Sequence, residues 1–407
     1  MNGATSAESG RPTQHGSGNG HPLKGMSSTL PLSASARAEQ QGCDLTGSLL
    51  MLIQFDVCEE IRLDRLREIL SAPAVTPPPL KHPTPDYIRY QRPPVVEPLN
   101  PLAPLDAVVL EDGQRLSGEV KYHDYGVVGV VFQLPFSGSW EQLIRLASRW
   151  VWDTGLVGHA AAVVRQRLER ARLALVKPYA EFLNEDYFIF HLREASGHPT
   201  ASQLIQDHGA HIAQVVRGDP SPLSDGECQE VLQSRISYYP DDLAVIGWNA
   251  ALVYDSPAGA ETAIQLLEYA NSQLLEFRHY DELLSRELDT VYSSLERGAG
   301  PLGRWRMARS ATRLNAVLLE VMELTERADN AIKFLSDMFA ARLYRLASSR
   351  VGVPDYKDLV TQKIKTAEDL YRFMVDQFNQ SRAFFLEFTV VVILAIELFY
   401  LFKEKLF

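Results

Sequence analysis

The sequence has only three cysteines, Cys43, Cys58 and Cys228, and their spacing matches neither a metal site nor a disulfide framework. We therefore expect a reducing compartment. The phosphate-binding motif G-x-x-x-x-G-K-S/T, the zinc motif H-E-x-x-H and the nucleophile motif G-x-S-x-G are also absent. The sequence thus predicts a non-enzymatic protein that holds no cofactor and no metal.

Positive charge is scarce as well, because 40 lysines and arginines stand against 51 acidic residues, for a net charge of -11. Such a balance is unsuited to a broad nucleic-acid surface, and no direct DNA binding is expected. The N-terminus, MNGATSAESGRPTQHGSGNG, lacks the apolar core of a signal peptide. The large N-terminal body is therefore expected in the cytoplasm.

With 407 residues, 46% of them hydrophobic, the chain is long enough for two or three domains with a sizeable core. Composition and periodicity predict an α+β protein. Its mixed-sheet head domain is followed by a long antiparallel, coiled-coil-like helical stalk and one C-terminal transmembrane helix. The predicted segments are a disordered tail (1–46), the head (47–255), the stalk (256–383) and the membrane helix (384–403).

The head alternates strand and helix patterns. Ser139 is placed to cap a helix with Glu141 in its first turn. Prolines crowd residues 73–104, which are interpreted as an extended insertion, with a ligand for an SH3-like partner as the alternative. Strands are predicted at 48–57, 106–110, 118–122, 127–134, 187–192, 235–239, 243–248 and 251–254, and helices at 63–71, 139–150, 158–176 and 201–216.

Three long helices are predicted to follow, at 262–297, at 305–349 and from 355 to the C-terminus. The first carries apolar residues at alternating spacings of three and four, from Leu267 to Leu295, interrupted by Asp281. At ~1.5 Å per residue these helices make a stalk on the order of 45–65 Å long. A homo-oligomer is expected, because this heptad stripe and the glutamates of the last helix both need partners.

The run from Phe384 to Phe402, FFLEFTVVVILAIELFYLF, dominates the C-terminal region. At ~1.5 Å per residue it covers most of a ~30 Å hydrocarbon core, so the lipid bilayer is the expected partner. Glu387 and Glu397 lie within it, and each costs up to roughly 3 kcal/mol if ionised at mid-bilayer. A buried core helix of a soluble domain is the alternative.

Basic residues cluster before the second long helix, at Arg304, Arg306, Arg309 and Arg313, beside Trp305. If the second and third long helices are antiparallel, this patch lies near the lipid headgroups. Arginines with a tryptophan suit anionic lipid there. A contact with RNA or a ribosome, and a solvated basic turn, are the alternatives.

Other motifs favour ordinary structural roles. Gly298–Gly303 formally matches G-x-G-x-x-G, but a long helix precedes it and a proline lies inside it, so a helix cap and turn are expected. His208 and His211, three positions apart on an expected helix, could share a ligand, but no partner cluster is visible and solvated or capping roles are favoured. The acidic pairs Glu185-Asp186 and Asp241-Asp242 each precede an expected strand, which favours turn and capping roles. A membrane-bound enzyme or ligand sensor with a site at these residues is the alternative function.

Several segments resemble a known family, the domain of unknown function 155, also called the "required for meiotic nuclear division" family of mitochondrial and bacterial membrane proteins. The similarity rests on the order of these segments and covers much of the chain. They are DDLAVIGWNAALVYD (241–255), QLLE (265–268), RLN (313–315), YHDYGVV (122–128) and the glutamates of Leu386-Glu387 and Ile396-Glu397.

The resemblance implies a membrane-tethered interaction protein and transfers no catalytic residue. Mitochondrial members of that family are associated with anchoring the translation machinery, so a ribosome-associated partner is implied. The proline insertion and the polar N-terminus depart from the mitochondrial members. A bacterial inner (cytoplasmic) membrane location is therefore expected, with the mitochondrial inner membrane as the alternative. Taken together, the sequence predicts a membrane-anchored adaptor.

Overall fold

The computed structural model describes residues 45–70, 93–103, 105–110, 113–152, 155–296, 309, 311–319, 321–322 and 338–406. These residues lie within one compact unit. Several predicted features fall outside the described residues. They are the tail up to residue 44, most of the proline-dense segment (71–92), the turn at Gly298–Gly303, and Arg304, Trp305 and Arg306 of the basic patch.

A mixed sheet of eight strands forms the centre of the molecule. The strand order is β2-β3-β4-β1-β5-β8-β7-β6, and every pair is antiparallel except β5–β8. The strands are β1 (Leu45–Ile61), β2 (Val95–Pro98), β3 (Ser117–Tyr122), β4 (Val127–Gly138), β5 (Leu175–Ala195), β6 (Arg235–Ile236), β7 (Leu243–Ile246) and β8 (Ala250–Tyr254).

Helices cover both faces of the sheet, so the fold is α+β, as predicted. Among the described residues, one face packs on five helices and the other on three, together with the helical residues 311–319 and 321–322. The first set is α1 (Leu63–Leu70), α2 (Trp140–Trp150), α3 (Gly155–Ala171), α4 (Ala201–Arg217) and α5 (Asp225–Gln233), and the second is α6 (Pro257–Glu296), α7 (Met338–Val351) and α8 (Val353–Leu406).

Side-chain alternation along β1 explains the two layers. Leu49, Met51 and Ile53 are buried in the core with α1–α5, while Leu52 is buried with α6–α8. Alternate residues of a strand point to opposite faces, so a strand in the middle of a covered sheet is apolar on both. This is why the run SLLMLIQFDV lacks the polar alternation of a half-exposed strand.

The heptad stripe of α6 is buried within the chain. Leu267, Leu274 and Leu284 are nearly inaccessible, and they share a core with residues of the sheet, of α7 and of α8. Residues 311–319 and 321–322 are also helical, and Leu314 and Val321 contribute to the same core. The stripe is thus covered without a second copy of the chain, and it no longer argues for an oligomer.

The C-terminal part of α8 is different, because its apolar side chains are exposed. Leu386, Val391 and Phe399 are 62%, 60% and 69% exposed, and most residues between them are similar. Among the residues described, no helix meets the length and apolarity required to cross a membrane.

Three elements differ in type from the sequence-based expectation, and others differ in their bounds. Asp106–Leu110 is not a strand, since it holds only an isolated bridge at Val109. The buried Asp106 carboxylate instead accepts hydrogen bonds from the Arg167 guanidinium and the backbone N–H of Asn100, which fixes a loop. β2 lies inside the proline-dense segment, as an edge strand where a proline is tolerated. α5 was not anticipated.

The third helix of the head ends earlier than predicted. α3 stops at Ala171, a 3-10 turn follows, and β5 begins at Leu175, so residues up to 176 that were assigned to the helix belong to a strand. β5 is also far longer than the predicted 187–192. Its first half carries exposed and charged residues, which hide the strand pattern, and is held by pairing to the end of β1.

Candidate functional site

Polar side chains of α6 are buried against the sheet, where an apolar surface would be expected. Glu268, Ser272 and Gln273 are all under 6% exposed. We call these residues, with His279 one to two turns further along, the polar seam. Buried polar groups must be hydrogen-bonded to be tolerated, so each member of the polar seam needs a partner.

An ion pair joins the polar seam to β3. The Lys121 ammonium lies 2.6 and 2.8 Å from the two carboxylate oxygens of Glu268, and the Glu119 carboxylate is 3.3 Å away. Burial opposes protonation of Lys121, but the two carboxylates outweigh it and raise the pKa of Lys121. The Gln54 amide of β1 donates to the Glu268 carbonyl at 3.0 Å. Lys121 therefore stays protonated inside the fold.

Hydroxyl and amide groups continue the polar seam. Tyr125 and Ser272 share a hydrogen bond of 2.9 Å, and the Gln273 amide donates to the Tyr269 hydroxyl at 3.0 Å. The Tyr344 hydroxyl of α7 donates to the Gln273 carbonyl oxygen. These contacts connect the β3–β4 turn, α6 and α7, and so fix the position of α6 on the sheet.

His279 of the polar seam pairs with a buried aspartate of β1, Asp56. The Nδ1 of His279 lies 2.9 Å from the Asp56 carboxylate, and the Tyr179 ring stacks on the imidazole at 4.6 Å between centroids. Burial raises the pKa of Asp56, while the hydrogen bond and the charge of His279 oppose the rise. A carboxylate that orients an imidazole is the arrangement used in general acid–base chemistry.

The backbone around this pair is irregular. The β1–β5 register shifts between Asp56 and Cys58, and Lys177, next to the shifted segment on β5, has φ of 45°, which side-chain-bearing residues seldom adopt. Lys177 pairs with Glu59 at 2.7 Å. Bulges of this kind re-aim side chains, and strained backbone often accompanies functional sites.

Cys58 lies beside this pair in sequence but does not complete a cysteine–histidine site. Burial raises the pKa of the Cys58 thiol to about 12, and its Sγ donates to the Glu60 carbonyl. A thiol in that state supplies no thiolate near neutral pH, so it is not a nucleophile.

The structure brings the two predicted histidines together. His208 Nδ1 and His211 Nδ1 are 3.4 Å apart on α4, and both rings stack on Trp140 of α2. Among the residues that the structure describes, no group of three or more histidine, cysteine or acidic side chains is placed to hold a metal ion.

The predicted acidic pairs lie apart from each other. Glu185 and Asp186 are inside β5 and do not precede a strand, so that expectation is wrong. Glu185 pairs with Arg278 of α6, and burial raises the pKa of both carboxyls. Asp242 accepts a hydrogen bond from the Tyr238 amide at 2.7 Å just before β7, which is the turn role that the sequence favours.

Of the predicted basic patch, the described members are Arg309 and Arg313. Arg309 is exposed, and Arg313 lies 2.5 Å from the buried carboxylate of Glu287 on α6. Arg313 thus has a structural partner. Glu387 and Glu397 are exposed on α8.

Sequence reasoning missed the residues of the polar seam. Lys121 and Glu268 are 147 positions apart, and nothing in either local pattern links them. The sequence did contain one signal for the polar seam. In α6, polar residues follow apolar heptad positions directly, as Glu268 follows Leu267.

His123, next to Tyr125, yields a pH prediction. Burial and the nearby Lys121 charge lower the pKa of His123 to about 3. The folded protein keeps this imidazole neutral, while the unfolded chain binds a proton below about pH 6.5. Stability should therefore fall as the pH drops from 6.5 toward 3, by about 2 kcal/mol at pH 5.

Urea denaturation at pH 7 and pH 5 measures this loss. The variant His123→Phe, which keeps a ring to stack on Tyr125, should lose less stability than the wild type over the same interval. His198→Asn, at an exposed histidine, is the control and should keep the wild-type loss. An unchanged loss in His123→Phe would show that other groups titrate.

Comparison with known proteins gives two matches. A family model described as "Uncharacterized protein MJ0711, N-terminal domain" matches residues 46–261, from β1 to the first turns of α6. The "Uncharacterized protein MJ0711" of Methanocaldococcus jannaschii is 20% identical over 236 residues, which cover 58% of this chain and 71% of that protein. No solved structure matches.

Proposed function

The chain belongs to the family of the MJ0711 N-terminal domain, and we propose that it is a membrane-anchored, non-enzymatic adaptor. In this proposal the mixed sheet and its helices form a head that faces the cytoplasm. The long helices α6 and α8 carry the head on a stalk, and the end of α8 enters the bilayer as a transmembrane helix.

The exposed apolar end of α8 is the observation that carries the proposal. From Leu386 to Phe399 nearly every large apolar side chain is exposed, on all sides of the helix. An amphipathic helix of a soluble protein would bury one stripe and show a polar face instead. The apolar sequence continues beyond this stretch, from Phe384 to Phe402, which approaches the ~20 residues needed to span a bilayer. Lipid is the solvent that suits such a surface.

The partner of the head is proposed from the resemblance to the domain of unknown function 155 family. We take it to be a component of the translation machinery, with the bacterial inner membrane as the location and the mitochondrial inner membrane as the alternative. Glu387 and Glu397 support a homo-oligomer, because neighbouring chains could pair these groups at a similar depth.

A ligand sensor or enzyme is the second candidate, and the Asp56–His279 pair favours it. A buried carboxylate that orients an imidazole beside a bulged strand is a costly arrangement, and no apolar packing requires it. A screen of small metabolites by thermal shift tests this candidate. A ligand that stabilises the wild type and not His279→Gln would support it, and the absence of any such ligand would leave the pair a structural one.

The basic residues near the second long helix allow a test of whether this part of the protein contacts anionic lipid headgroups. Changing Arg304, Arg306 and Arg309 to Gln should weaken binding of the protein to anionic liposomes by up to about 100-fold at low salt. Each basic residue near such a surface contributes about 1 kcal/mol, and salt screens the attraction. Liposome flotation at two salt concentrations measures it.

Two controls accompany that measurement. Neutral liposomes should capture wild type and variant equally, since no surface charge attracts the arginines. The variant keeps Arg313, because Arg313→Gln would remove the ion-pair partner of the buried Glu287 carboxylate. Equal capture by anionic liposomes at low salt would mean that these arginines do not face the headgroups.

A further inference from the structure

Two histidines of α4, His208 and His211, lie in an arrangement that a hydrogen bond between their rings does not explain. α4 departs from helical geometry at one residue, His208, with φ of -131° and ψ of 16°. Despite the kink, His208 and His211 turn the same ring nitrogen, Nδ1, toward each other at 3.4 Å. A contact of 3.4 Å is long for a hydrogen bond, for which about 2.9–3.0 Å is usual.

That separation is the one found between two ligands of one tetrahedral zinc ion. With Zn–N bonds of about 2.0–2.1 Å and tetrahedral angles, two coordinating nitrogens lie about 3.3–3.4 Å apart. Two adjacent ligands of a square-planar ion, with similar bond lengths, lie about 2.9 Å apart. The spacing therefore favours Zn²⁺ over Cu²⁺ or Ni²⁺.

The rings are also held in place. Trp140 at the start of α2 stacks on His208 at 4.9 Å and on His211 at 5.9 Å, with interplanar angles of 22° and 19°. α2 is itself fixed by a capping box between Ser139 and Gln142. Two imidazoles held against one indole lose little further freedom when they bind a metal ion, which favours binding.

The surroundings suit a cation. Glu141, next to Trp140, is within electrostatic reach of His211, and its carboxylate accepts a hydrogen bond from the Ser139 hydroxyl. Both histidines are partly exposed, so water can reach the metal and fill the remaining coordination positions.

We propose that His208 and His211 form a two-histidine zinc site on the head, with water completing a tetrahedral shell. Two protein ligands make the site exchangeable, weaker than a structural zinc site with four. Protons and zinc compete for the same imidazole nitrogens, so zinc binding should weaken as the pH is lowered.

Cobalt is the probe that reports the geometry, because tetrahedral Co²⁺ absorbs visible light much more strongly than octahedral Co²⁺. The full-length protein in mild detergent, first stripped with EDTA, is titrated with CoCl₂ and then with ZnCl₂. We expect tetrahedral bands that saturate at one Co²⁺ per chain and disappear when Zn²⁺ displaces it.

Variants locate the bound ion. His208→Gln and His211→Gln should each weaken binding at least about tenfold, by analogy with the 10–100-fold cost of losing supporting groups around a metal. His198→Asn, at an exposed histidine of the same head, should bind like the wild type. Circular dichroism shows whether each variant is folded. Octahedral cobalt only, or tetrahedral bands that survive in both folded variants, would overturn the proposal and leave the pair a histidine–histidine contact stacked on Trp140.

Discussion

Deleting Ala383–Phe407 should move the protein from the membrane pellet to the soluble fraction almost completely. The deleted segment holds the exposed apolar end of α8, from Leu386 to Phe399, and no described side chain there belongs to the protein core. Fractionation of cells that express the two forms, followed by a high-salt wash of the pellet, measures the change.

The head should survive this deletion. α6 and α8 remain joined through Val360 and Ala367, which are fully buried, and through the Lys363–Asp281 ion pair. The truncated protein should therefore keep the far-ultraviolet circular dichroism expected for the remaining residues and a cooperative thermal transition. Deleting only Lys403–Phe407 is the matched control, since it leaves the apolar run intact, and that form should stay in the pellet. A truncated chain that remains in the pellet while folded would contradict the anchor.

Glu268→Leu should destabilise the protein by about 3 kcal/mol, the low end of the cost of breaking a buried ion pair. The Glu268 and Lys121 side chains are 7% and 15% exposed, so the substitution leaves an ammonium largely cut off from water. Glu119, 3.3 Å from that ammonium and 41% exposed, is then its remaining carboxylate partner.

The double variant Lys121→Met with Glu268→Leu separates the two contributions. Replacing both members of a buried pair with apolar residues is often neutral or stabilising, so the double variant should lie within about 1 kcal/mol of the wild type. Chemical denaturation of wild type, both single variants and the double variant completes the cycle. A loss of stability in the double variant equal to the sum of the two single-variant losses would show that the pair contributes no coupling.

The sequence predicted the parts of this fold that local chemistry determines. Ser139 begins α2, as its hydroxyl suggested, and the heptad stripe of α6 is buried where its spacing placed it. Ends that depend on distant pairing were misplaced. Residues 175–176 were assigned to a helix, because β1, more than a hundred residues earlier, is what makes them a strand.

The candidate site shows the same division. His208 and His211 were found from sequence, because a spacing of three places two side chains on one helix face. The distance between their nitrogens depends on the kink at His208 and on Trp140, neither of which the sequence indicated. Asp56 and His279 were missed altogether, since the pair forms only when α6 packs across the end of β1.

The central claim is that the end of α8 lies in the bilayer, and fluorophore depth tests it most directly. A chain without its three cysteines, carrying either Val392→Cys or Asp369→Cys, is labelled with an environment-sensitive fluorophore and reconstituted in liposomes. Both positions are on α8, Val392 within the apolar run and Asp369 before it, exposed in the stalk. We expect nitroxide-labelled acyl chains to quench the label at 392 and aqueous iodide not to quench it, with the reverse at 369. Iodide quenching at 392 equal to that at 369 would contradict the claim.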